Sequence, residues 1–391
     1  MTQEIEINDD DLVIIQNHAY KLSNLPADLK FKLIQKLQSK DGKLTYTKPD
    51  LSRVFNLNDF ESIAQKSLTP ETFAYYRTGA EDEITLRENQ KAFKRIYFKP
   101  RVLRSVSQVS LETNVLGSYS SLPFYITAFH GASFDGNNEG ELPLARAAGK
   151  NNLTQMIPGL STIPLQKQVD SHNNGKVDQW LQLNLRKTVD EILEKIKEAE
   201  ETGKIKAIFF TIDVASLGKR EHELRIRDTS HYEKIPAIFA SDLNWNDLIK
   251  IRQSTSLKII LKGIQTVEDA IKSVELGFEG FVISNHGGRQ LDTTRSSIEV
   301  LSTIVPELKK RNLYHKTEIL IDGGIRRGSD IVKALALGAT SVGLGRSFLY
   351  ALQTYGEEGT SKVIDILREE LTITLKLLGV VKLEDLLMKL L

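Results

Sequence analysis

Beyond about residue 122 the chain alternates short, unbroken apolar runs with amphipathic stretches of helical period. The runs lie at residues 124–128, 154–157, 180–184, 207–213, 258–262, 280–284, 318–322 and 341–345, and a helical pattern follows seven of the eight, as at 189–202, 267–276 and 329–337. A run that is apolar at every position reads as a strand covered on both faces, and parallel neighbours need a crossover helix between them. Eight such units match an α/β (β/α)8 TIM barrel, a fold of about 250 residues. A doubly wound sheet is the alternative, but it usually has fewer strands and one obvious switch point.

Upstream the pattern differs. Residues 1–56 are highly charged and poor in aromatics, with helical spacing around 29–37 broken by Asp41-Gly42. This predicts an N-terminal helical arm over 1–56 and a barrel domain over 57–391. A second helical stretch, from 57 to about 90, holds Phe73-Ala74-Tyr75-Tyr76-Arg77-Thr78-Gly79-Ala80.

A barrel gathers its chemistry at the C-terminal ends of its strands. The fourth run ends at Asp213 and the fifth at Lys262. The sixth leads into Asn285-His286, the seventh ends at Asp322-Gly323-Gly324, and the eighth at Gly345-Arg346. Five consecutive polar endings are more than strand ends meeting solvent. Glycine loops followed by helix starts, with Arg326 and Arg346 nearby, have the makings of a phosphate cradle. His286 is suited to act as a base near neutral pH, and Arg289 offers a planar fork for a carboxylate.

Composition narrows the field. With 52 Lys+Arg against 51 Asp+Glu the net charge is +1, which excludes a protein that grips nucleic acid or anionic lipid through its overall field. The chain has no cysteine, so disulfides, thiolate metal centres, iron–sulfur clusters and a cysteine nucleophile are excluded. No apolar run approaches the ~18 residues of a membrane span. The acidic start MTQEIEINDDD resembles neither a secretory signal nor a transit peptide, and the final Lys389-Leu390-Leu391 falls short of a peroxisomal address. A cytoplasmic protein with no nucleic-acid or membrane partner is expected. His18, His172, His222, His231 and His315 show no metal-ligand spacing and read as surface residues, and no metal site is expected. Tyr76 reads as packing.

The segment Ser284-Asn285-His286-Gly287-Gly288-Arg289-Gln290-Leu291-Asp292 resembles the signature of the FMN-dependent L-2-hydroxyacid dehydrogenases and oxidases. The resemblance runs from about Leu57 to about Gly379 and takes in Arg87-Glu88-Asn89 and Lys99-Pro100-Arg101-Val102-Leu103. It is strongest to the flavodehydrogenase part of the flavocytochrome L-lactate dehydrogenases, without a counterpart to their haem domain. The resemblance implies FMN as cofactor and a small, lactate-like 2-hydroxy acid as substrate. It also implies electrons passing from flavin to oxygen or another acceptor, and a homo-oligomer, a tetramer by analogy. It makes His286 the base, Asp213 the support of its imidazolium, and Arg289 the substrate clamp, helped by Tyr75. Lys262, Gln182, Thr211 and Ser284 would meet the flavin ring. Asp322, Gly324 and Arg326 would face the ribityl chain and phosphate, with Gly345 and Arg346 closing the phosphate site.

The sequence departs from that pattern at the ends of strands one to three. Ala128-Phe129-His130 stands where the family has small residues, Pro158 where it has a serine, and Asn184 where it has a substrate-binding tyrosine. The stretch from Asp213 to Trp245 is shorter than the family's loop. Asn184 is expected to offer the substrate a different hydrogen bond, while His130 reads as a packed side chain before a second base. Three readings stay open: an active enzyme with a shifted substrate range, an impaired paralogue that binds flavin or assembles with a partner, and a barrel whose cradle holds another phosphorylated ligand.

Overall fold

Eight strands pair in parallel in chain order: β1 (Phe124–Ile126), β2 (Met156–Pro158), β3 (Gln179–Asn184), β4 (Ile205–Thr211), β5 (Lys258–Ile264), β6 (Gly280–Ile283), β7 (Glu318–Asp322) and β8 (Ser341–Leu344). They belong to a computed structural model that describes residues 46–173, 177–184, 188–226, 242–386 and 390–391, together with the backbone of 12–15 and 18–21. β8 returns to β1 with Leu344 opposite Ile126. The seam between β1 and β2 is closed by a bridge from Ile126 to Gln155, with the Ile126 N–H donating to the Thr154 carbonyl at 3.1 Å. The sheet therefore closes on itself as a (β/α)8 barrel.

The barrel's interior is filled, not hollow. Tyr125, Met156, Trp180, Phe209, Ile260, Val282 and Leu320, one from each of seven strands, form a single buried cluster. The Trp180 and Phe209 rings stack at 4.9 Å, and Tyr125 meets Trp180 edge-on at 5.0 Å. The eighth strand contributes Gly343 here, because a Cβ would stand 2.8 Å from the Tyr125 ring. A hairpin, Thr113–Val115 with Ser118–Ser120, adds Val115 and Leu116 to the same cluster. Truncating Phe209 to alanine would open a void at a cost of about 3–5 kcal/mol. This packed plug is the floor beneath the site.

The helices follow from local sequence. Thr266 caps Val267–Glu275 by accepting from the Asp269 N–H at 3.1 Å, and the helix turns Ala270 and Val274 inward. The stretch expected as one helical region over 57–90 is three helices, Leu57–Ser67, Pro70–Arg77 and Ile84–Lys91. Pro70 starts the second behind a Thr69 cap, and left-handed Glu81 and Glu83 separate it from the third.

The chain divides into two compact units, Met1–Asp50 and Leu51–Leu391. In the first, Leu12–Ile15 pairs antiparallel with His18–Lys21, a hairpin where a helix-rich arm was expected. The run Leu-Val-Ile-Ile favours strand over helix because branched side chains lose rotamer freedom against a helical turn. The helical spacing at 29–37 lies outside the described residues, as does His231. His172 is a second correction: it is buried, with Nε2 3.2 Å from the Leu153 carbonyl.

Candidate active site

A cavity of about 200 Å³ opens at the C-terminal ends of the strands. Nine of the expected residues line it: Tyr75, Lys262, His286, Arg289, Asp322, Gly324, Arg326, Gly345 and Arg346. Others stand directly behind them.

The candidate base, His286, lies on the cavity wall. His286 follows β6 in a left-handed conformation (φ 57°), a strained position for a non-glycine residue. Its backbone N–H is held there by the Ser284 hydroxyl at 3.1 Å. The imidazole Nδ1 lies 3.1 and 3.3 Å from the two carboxylate oxygens of Asp213, at the end of β4. Burial pushes the Asp213 carboxyl up, but the charges of His286 and Lys262 outweigh it and hold the group below its ordinary value. Asp213 is thus kept ionised, ready to orient Nδ1–H and leave Nε2 as the basic nitrogen.

The middle of the cavity carries a buried ion pair. Lys262 Nζ is 3.2 Å from Asp322, and both contact the Ser284 hydroxyl, which accepts from Lys262 at 3.1 Å and donates to Asp322 at 2.6 Å. Burial lowers the Lys262 pKa, but Asp322 and Asp213 more than compensate, so its ammonium is held charged.

Arg289 lines the same cavity as His286. Its Nη1 donates to the carbonyls of Tyr75 (2.6 Å) and Thr78 (2.9 Å), and the guanidinium sits 5.0 Å from the Tyr75 ring centroid. Burial and the nearby Arg220 draw its pKa down to about 9. That is the direction expected of a cation crowded by cations, and an anion placed there would relieve it. Arg220 was missed by sequence reasoning. It lines the cavity, and its Nη1 and the Nη2 of Arg289 each stand 3.9 Å from one carboxylate oxygen of the fully buried Glu223. The signal was the Arg220/Glu223 spacing just after Asp213, in a stretch that carried no motif by itself.

The far end suits a phosphate. Arg326 Nε is buried and has no hydrogen-bond partner among the described residues. Helix Arg346–Leu378 begins at Gly345 with no side-chain cap, leaving its first N–H groups available to an anion. Helix Gly328–Ala336 contributes less than expected, since Asp330 already accepts from the Arg326 and Arg327 N–H groups at 3.0 Å each. Gly324 could not be another residue: its φ is +83° and a Cβ would stand 2.1 Å from the Asn89 carbonyl. Arg346 also has a structural part. Its guanidinium donates to the carbonyls of Tyr76 (2.9 Å), Gly287 (3.0 Å) and Thr78 (3.3 Å), bracing the loops around the cavity. A cavity lined by the buried Lys262 and by Arg326, whose Nε has no hydrogen-bond partner among the described residues, fits a flavin mononucleotide.

The ends of β3 and β4 form their own cluster. Gln182 Nε2 donates to Thr211 Oγ1 at 2.8 Å and to Asn184 Oδ1 at 3.1 Å. Asn184 is not among the residues that line the cavity; its side-chain oxygen accepts from Gln182. Phe129 and His130 do line the cavity, and His130 Nδ1 lies 3.2 Å from the Tyr75 hydroxyl. Tyr76 packs, as expected, and donates to the Gly131 carbonyl at 2.6 Å. Part of the shortened loop after Asp213 (227–241) lies outside the described residues.

A family model described as FMN-dependent dehydrogenase matches residues 64–391. The chain belongs to the FMN-dependent dehydrogenases. Within that family it is 41% identical over 357 residues to the L-lactate dehydrogenase (cytochrome) of Wickerhamomyces anomalus, covering 87% of this chain and 61% of the relative. It is 37% identical to a peroxisomal (S)-2-hydroxyacid oxidase of Arabidopsis thaliana, covering 86% of this chain and 95% of that one. The chain thus spans about three fifths of the cytochrome-type relative and nearly all of the oxidase. Among solved structures, a flavocytochrome b2 double mutant with pyruvate bound superposes with a TM-score of 0.85 at 40% identity, over 88% of this chain and 87% of that one. A mandelate oxidase superposes at 0.78 with 33% identity, over 85% and 96%.

Proposed function

We propose that this protein oxidises a small, lactate-like L-2-hydroxy acid to the corresponding 2-oxo acid, with FMN as cofactor. The observation that carries the reading is the His286–Asp213 pair, 3.1 Å apart, beside Arg289 in the same cavity as the Lys262–Asp322 pair. Bound FMN supplies the acceptor for the substrate's two electrons. Everything else falls to the chain's own side chains. Arg289 and Tyr75 hold the substrate carboxylate, with Arg220 adding charge behind them. That pose brings the hydroxyl-bearing carbon to His286, whose Nε2 takes a proton from the substrate. Asp213 keeps Nδ1 protonated and stabilises the imidazolium that forms. Lys262, held charged by Asp322 and Asp213, would offer its ammonium to the flavin ring, which gains negative charge on reduction. Gln182, Thr211 and Ser284 would position that ring and its lysine; Arg326, Gly324 and Gly345 would hold the phosphate.

The cytochrome-type relatives are longer than this chain, so transfer to a haem domain is not carried over. Electrons leave for oxygen or another acceptor. A homo-oligomer in the cytoplasm completes the reading; light scattering and cell fractionation test those two parts.

The deciding experiment is spectral. The FMN-loaded protein should absorb near ~450 nm, a usual flavin band, and bleach anaerobically with L-lactate or glycolate. His286→Gln should keep the colour and lose the bleaching. One observation favours the impaired paralogue instead: the Asn184 side-chain oxygen accepts from Gln182, so among the described residues of that strand end Asn184 does not take the place of the family's tyrosine. A protein that binds flavin yet bleaches with no hydroxy acid would favour that second reading.

A further inference from the structure

Glu61 puts a negative charge next to the arginine that suits a phosphate. It belongs to the helix Leu57–Ser67 and is not among the residues that line the cavity. Its Oε2 nevertheless lies 3.5 Å from Nη2 of Arg326, which does line it. The helix that carries Glu61 is firmly placed. Asn56 and Asp59 form a capping box at its start, and Leu57, Phe60, Ile63 and Ala64 are buried. Phe60 meets Tyr355 edge-on at 6.1 Å, which packs this helix against the one that Arg346 opens.

The three nitrogens of the Arg326 guanidinium are treated differently. Nη1 donates to the Ile325 carbonyl at 3.2 Å and Nη2 faces Glu61, while Nε has no hydrogen-bond partner among the described residues. Acceptors on Nη1 and Nη2 fix the plane of the fork and leave Nε as the donor on offer. Glu61 also steadies the charges nearby. Burial lowers the Arg346 pKa and Arg326 lowers it further, while Tyr350 and Glu61 act against them. A carboxylate so placed could repel a phosphate as well as orient its arginine, and burial decides between the two. The Glu61 side chain is 29% exposed, so water screens its repulsion of another anion. The Arg326 side chain is only 11% exposed, so its donors act at close to full strength and their aim matters more.

We infer that Glu61 is a positioning residue for the cofactor's phosphate: it holds the Arg326 guanidinium with Nε free for a phosphate oxygen, and so sharpens the choice of FMN over the unphosphorylated riboflavin. The inference rests on FMN as the cofactor and is independent of which acid is oxidised. Glu61 touches no flavin itself. It acts through Arg326, as an outer partner acts through the ligand it orients, and its effect is confined to the phosphate.

Fluorescence titration of the flavin-free protein with FMN and with riboflavin tests this without turnover. Glu61→Gln keeps the shape and removes the charge. Its FMN affinity should fall about tenfold or more, the worth of a charge-assisted hydrogen bond, while riboflavin affinity stays within about twofold. Glu61→Asp keeps the charge on a shorter stem and should fall between Glu61→Gln and the wild type. In an Arg326→Ala background there is no guanidinium to hold, so Glu61→Gln should change FMN affinity little. Unchanged or tighter FMN binding in Glu61→Gln overturns the inference. So does an equal loss for both flavins, the mark of a merely structural role, or a full loss in the Arg326→Ala background. Should Glu61→Gln fail to fold, as thermal melts would show, the FMN-to-riboflavin ratio of Glu61→Asp decides in its place. Wild-type protein that binds FMN no better than riboflavin, or takes up neither, removes the inference. If no hydroxy acid bleaches the flavin, the proposed reaction falls while these titrations still decide the role of Glu61.

Discussion

His286 Nδ1 and Asp213 Oδ1 are 3.1 Å apart, although they sit 73 residues apart in sequence on the ends of two different strands. One consequence concerns rate. Asparagine at 213 keeps the shape but loses the charge that stabilises the imidazolium, so Asp213→Asn should slow flavin reduction by about 10²–10⁴-fold, the range of a lost acid–base contribution. Pyruvate binding should persist. Stopped-flow reduction and equilibrium titration separate the two, and an unaltered reduction rate would remove Asp213 from its supporting role. The pH sign follows from its depressed pKa. A carboxylate with a lowered native pKa adds stability that is complete above the unfolded value, near 3.8, and is lost as pH falls through the lower native value. Any loss of activity between pH 5 and 6 should therefore not arise from protonation of Asp213.

Lys262 and Asp322 are buried together, so removing one charge strands the other. Lys262→Met should destabilise the protein by about 3–5 kcal/mol, as for other broken buried pairs, while Lys262→Met with Asp322→Leu should recover much of that loss. Urea unfolding of the flavin-free protein checks it. The native Lys262 pKa is raised above 10.5, so its contribution is full below that pH and disappears only as pH rises through the higher native value. Between pH 6 and 9 the wild-type melting temperature should show no step from this pair.

Gly324 cannot carry a side chain. With φ at +83° and the Asn89 carbonyl 2.1 Å from the position of a Cβ, Gly324→Ala must displace the loop that ends β7. Overpacking of that kind costs about 1–3 kcal/mol, and the displaced loop is the one lining the phosphate end. Thermal melts should show the destabilisation, and fluorescence titration should show FMN affinity falling by more than the stability change alone explains.

The eight strands and the end of the barrel that holds the site were legible because a strand covered on both faces leaves an unbroken apolar run, and a polar residue closes it where the chain emerges. β7 was bounded correctly at Glu318–Asp322, since Glu318 and Asp322 frame three apolar residues. The hairpin that adds Val115 and Leu116 to the barrel interior was not legible: its strands are three residues each, too short for a periodic signal. Arg220 and Glu223 escaped for a different reason, because their importance arises only when the chain folds Glu223 against Arg289, 66 positions later. Arg346 was found, but its backbone contacts were not foreseen. Sequence marks an arginine after a glycine loop, and only packing decides whether it faces a phosphate or the carbonyls of Tyr76, Thr78 and Gly287.

Asn184 tests how far the altered strand ends reach. Its side-chain oxygen accepts from Gln182 at 3.1 Å, and Gln182 also donates to Thr211 at 2.8 Å, so the three form one chain of bonds across β3 and β4. Removing Asn184 takes one acceptor from Gln182 and leaves the other. Asn184→Ala should therefore alter KM for the hydroxy acid little, since the residue lies off the cavity wall. It should instead loosen the Gln182 amide, weakening FMN binding by roughly the worth of one hydrogen bond, about 0.5–1.5 kcal/mol or up to tenfold. Gln182→Ala should weaken it further. A large rise in KM with unchanged flavin affinity would return Asn184 to the substrate and show that the side chain turns toward the cavity when the site is filled.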